Sequence, residues 1–112
     1  MAMRAQTTAK LIADTISYPI QKIESNIEIY HADISDMMHV IRSIDDKHKS
    51  AMLIGHNPTF TGLVGFLTHN PISHMPTASI VCIDFNITSW HQVSEGIGNI
   101  TWFDFPKNLA SD

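Results

Sequence analysis

The stretch "AMLIGHNPTF", Ala51 to Phe60, sets a histidine, His56, between a glycine and an Asn-Pro pair, directly after a short apolar run. An imidazole in such a place can donate a hydrogen bond to a phosphoryl oxygen or exchange a proton near neutral pH. Asn57 and Pro58 would shape the loop that aims it. The plainer role is a residue that fills or caps a turn, and spacing alone leaves both roles open. His31, His39, His48, His69, His74 and His91 fall on helix faces or in loops. Their spacings match no familiar metal-ligand pattern, and no acidic or cysteine partner is placed beside them, so no metal site is expected. Cys82 alternates within an apolar strand-like run and reads as a core thiol rather than a nucleophile.

The elements around His56 give its position meaning. "SAMLIG" reads as a buried strand, and after "HNP" an amphipathic pattern runs through Phe60, Leu63, Val64 and Leu67, so a strand ends in a loop that opens a helix. In open α/β sheets ligands bind beyond the carboxyl ends of strands, where the next helix presents its N-terminal amides and positive dipole end. That favours an anion. Upstream, Ala5, Ala9, Ile12 and Ile16 recur at helical spacing, and Tyr18, which precedes a proline, marks an end near there. "IQKIE" reads as a short strand. "DISDMMHVIRSI" returns to helical period through Ile34, Met37, Met38, Ile41 and Ile44, with Asp33 or Ser35 as N-cap. "SIVCIDFNI" and "NITWFDF" are rich in β-branched and aromatic residues and read as antiparallel strands closing a sheet.

Composition narrows the class. A chain of 112 residues, 44% of them hydrophobic, can bury a modest core, and without repeat, linker or low-complexity tract it reads as one α/β domain over residues 1–112. The formal charge is -4 and the seven Lys and Arg form no block, which argues against a nucleic-acid partner. No apolar stretch approaches the roughly 20 residues that span a bilayer, and the opening is no signal sequence, so no membrane partner is expected. A single cysteine permits no internal disulfide, consistent with a cytoplasmic protein.

"LIGHNPTFTGLVGFLT", together with "MRAQTTAKLIA" upstream and "MPTASIVCIDF" and "FPK" downstream, resembles the histidine phosphatase superfamily, in particular its short phosphohistidine phosphatases of the SixA type. The likeness runs in order over nearly the whole chain. It implies a three-layer α/β/α, phosphoglycerate mutase-like domain. It also implies that His56 is the second active-site histidine, a catalytic group that binds the transferred phosphoryl group. Arg4, in "MRAQTTA", corresponds to the arginine of the helix-opening segment, a second phosphate ligand. Asn57 supports the loop. Arginine suits the role because its planar fork can hold two phosphate oxygens. Thr7 stands where the family more often has glutamine, which leaves the arginine intact. Glu28 and Asp33, near the region where some members carry loop residues close to the site, receive no role.

One element of the pattern is missing. The family opens with a strand ending in Arg-His-Gly, whose histidine accepts the phosphoryl group, and no such triplet occurs in these residues. The expectation is an N-terminally truncated domain without its nucleophile, inactive by itself. In the intact family a phosphohistidine on a signalling protein would be hydrolysed in two steps, with no cofactor and no metal. The expected partners are a phosphorylated signalling protein or a small phosphomonoester. The alternative is a non-catalytic module that binds phosphate or a phosphoprotein. Loss of a central strand would also expose sheet edges and favour self-association.

Overall fold

The computed structural model describes residues 2–24, 33–55, 59–70, 75–76 and 79–105, with residues 2–5 described as helix backbone alone. Helix α1 spans Ala2–Thr15, where the periodic apolar positions predict it. It buries Ala9 and Ala13, one turn apart on a single face, and leaves Leu11 exposed; Ile16, the last of the periodic positions, lies one residue past the helix and is exposed. Its end is set by Ser17 at φ +61, where Tyr18 N–H donates to the Ala13 carbonyl at 2.7 Å and Ser17 N–H to that of Asp14 at 3.3 Å. This left-handed closure satisfies carbonyls that would otherwise be orphaned, and Pro19 follows because it cannot continue the helix.

The strand expected in "IQKIE" does not form. Ile20–Lys22 is a 3-10 turn, closed by Lys22 N–H to Pro19 carbonyl at 3.0 Å and Ile23 N–H to Ile20 carbonyl at 3.1 Å. Pro19, at φ -59, presets the turn, and among the described residues no strand lies beside the segment to pair with it.

Helix α2 spans Ile34–Arg42. Asp33 is its N-cap: the carboxylate accepts the Asp36 N–H at 2.9 Å while the Asp36 carboxylate accepts the Asp33 N–H at 3.2 Å, a reciprocal box that satisfies two orphan donors. Met37, Met38 and Ile41 are buried, as their spacing predicts. Helix α3 spans Thr59–Thr68 and buries Leu63, Val64 and Leu67. The two helices lie against each other near their first turns, where Gly62 approaches Ile34 Cδ1.

Strands β1, Ile80–Phe85, and β2, Gly98–Asp104, pair antiparallel from Ile80 opposite Asp104 to Phe85 opposite Gly98. The register slips between Cys82 and Ile83, whose partners are Trp102 and Ile100, so Thr101 is the extra residue of a bulge. A 3-10 turn at Trp90–Gln92 connects the strands. Residues 51–55, expected as a buried strand, carry no ladder: Met52 is exposed, and Leu53 and Ile54 are half-buried. A buried parallel strand needs neighbours on its edges, and the sheet among the described residues has only β1 and β2. Cys82, expected in the core, is half-buried in β1.

The result is a small mixed helix and strand architecture. Its core is Met37, Met38, Ile41, Leu63, Leu67 and Val93, flanked by the half-buried Phe60, Phe66, Ile83, Phe85 and Trp90. Helices α2 and α3, one end of the hairpin and the Trp90 turn thus converge on one place. Each fully buried large side chain there contributes roughly 1.5–3 kcal/mol by removal of apolar area from water.

Candidate functional site

The helix expected after the Gly-His-Asn-Pro run begins at Thr59, the residue next to Pro58. His56 and Asn57 lie outside the described residues, bracketed by exposed Gly55 and the start of α3. Arg4 belongs to the first turn of α1. The first turn of α3 carries no acidic residue, so its positive dipole end is not neutralised from within the helix. The first turns of α2 and α3 frame a shallow hollow of about 500 Å3, lined by Asp33, Ile34, Ser35, Thr59 and Gly62. The capping box turns Asp33 inward on its own helix, where its carboxylate serves the Asp36 amide.

A second, longer groove of about 720 Å3 shares Ile34 and Ser35 with that hollow and follows α2 to its carboxyl end, where His39, Arg42 and His91 line it. Arg42 Nε donates to the Val93 carbonyl at 2.8 Å, which fixes the guanidinium at the groove wall. His91 is brought there by the Trp90 turn. Ser89 caps that turn, accepting the His91 N–H at 3.2 Å, and the Gln92 side chain accepts the Ser89 N–H at 3.2 Å in return. Asp46 fastens the turn from outside, accepting the Trp90 N–H and the Ser89 hydroxyl, each at 2.9 Å. Those two bonds, the Trp90 amide first, hold the Asp46 carboxyl below its ordinary 3.8.

The other histidines separate into distinct settings. His39 is exposed on α2, and the main-chain carbonyl of His48 accepts the Trp90 indole N–H at 2.8 Å. His69, at φ +52 just past α3, places Nε2 2.9 Å from Glu95 Oε2. His31, His74 and Glu28 lie outside the described residues. Among the described residues no group of three or more His, Cys, Asp or Glu side chains is placed to hold a metal ion, and no helix is long and apolar enough to cross a membrane.

Arg42 and His91 escaped the sequence reading as site residues. Arg42 carried a usable signal, since it follows His39 by one helical turn on the same face of α2. His91 carried none, because only the Asp46 clasp brings its turn to α2. No family model, curated protein or solved structure matches this chain.

Proposed function

We propose that this chain is a phosphohistidine phosphatase-like domain of the three-layer α/β/α kind. In this reading Arg4 and His56 are ligands of a phosphoryl group and Asn57 supports the loop between them and α3. The observation that carries it is the start of α3 at Thr59, which puts Gly-His-Asn-Pro at the N-terminal end of a helix whose first turn has no carboxylate of its own. Amide donors and a positive dipole end there favour an anion, and a histidine just ahead of them adds a directed donor.

In the complete reaction a histidine from an Arg-His-Gly segment attacks phosphorus as the P–N bond of the substrate breaks. Arg4 and His56 neutralise charge on the equatorial oxygens, and water then hydrolyses the new phosphohistidine. The substrate is a phosphohistidine on a signalling protein or a small phosphomonoester in the cytoplasm. These 112 residues contain no Arg-His-Gly, so the isolated polypeptide binds phosphate without turnover. The second reading is a non-catalytic phosphate or phosphoprotein-binding module, which the same carboxylate-free first turn of α3 would serve.

Fusing a family-like strand bearing Arg-His-Gly ahead of Met1 tests the first reading. The fusion gains phosphohistidine hydrolysis, and His56→Ala within it lowers the rate on the order of a hundredfold with an unchanged melting temperature. A folded His56→Ala fusion of equal rate refutes the assignment. Phosphate binding that survives in a fusion with no turnover supports the module instead.

A further inference from the structure

We draw no further inference here: the strongest candidate, the exposed apolar surface of Leu11, Ile16, Tyr18 and Ile20 along α1 and the 3-10 turn after it, has nothing in the structure to show what covers it.

Discussion

Asp46 holds the backbone N–H of Trp90 at 2.9 Å across a separation of 44 positions in the chain. Its other oxygen accepts the Ser89 hydroxyl, and the Trp90 indole reaches back to the His48 carbonyl. The 45–48 segment and the Trp90 turn are thus clasped from both sides, and the clasp carries Val93 into the core.

Because both bonds favour the charged carboxylate, the folded state holds Asp46 below its ordinary 3.8. A carboxyl lowered on folding contributes stability above its unfolded value, and that contribution is lost as pH falls through the folded value. Asp46→Ala therefore melts at a lower temperature than the parent at neutral pH, and the two curves converge at pH values below 3.8. The check is thermal unfolding of both proteins across the acidic range. A gap that persists undiminished in acid would assign the effect to packing.

Gly96 and Gly98 respond differently to the same substitution. Gly96 sits at φ +77, donates its N–H to the Phe66 carbonyl at 3.0 Å, and an added Cβ would stand 2.7 Å from His69 Cε1. Gly96→Ala costs about 1–2 kcal/mol from the left-handed backbone alone. His69→Ala relieves only the steric part, so a double-mutant cycle shows partial rescue. At Gly98 the added Cβ would meet Ile83 Cγ2 at 2.7 Å, Phe85 Cε1 at 2.8 Å and the fixed Leu67 carbonyl oxygen at 3.1 Å. Gly98→Ala has no single side chain whose removal restores it, and denaturant unfolding of Gly98→Ala paired with Ile83→Ala shows no rescue.

Met37 is fully buried at the centre of the core. Met37→Ala lowers unfolding free energy by about 2–5 kcal/mol through lost burial and a residual cavity, whereas Met37→Leu, close in volume, costs less than about 1.5 kcal/mol. Urea unfolding at constant m-value distinguishes them. Equal stability of the two variants would mean that the site collapses on truncation.

Among the described residues no further strand lies on either outer edge of the hairpin. Ile80 and Trp102 are exposed, Trp102 by 51%. We propose self-association through these edges, seen as a sedimentation coefficient that rises with concentration. Ile80→Lys with Trp102→Lys suppresses it. A monomer at every concentration counts against edge pairing.

Local pattern alone specified the three helices and the hairpin. Ile34, Met37, Met38 and Ile41 fall on one face because the α-helix repeats every 3.6 residues, and Asp33 caps because a short carboxylate reaches the N3 amide. Those are interactions over a few residues, which a sequence displays directly. The motif Gly-His-Asn-Pro was equally legible, as was its place ahead of a helix. "SAMLIG" and "IQKIE" were not, since a short apolar run becomes a strand only when another strand offers its edge, and pairing is a property of the assembled chain. The same holds for the groove. Arg42 could be seen on α2, but its meeting with His91 depends on Asp46 and Ser89 clasping a turn that is distant in the chain, and only tertiary packing decides which distant side chains line one groove.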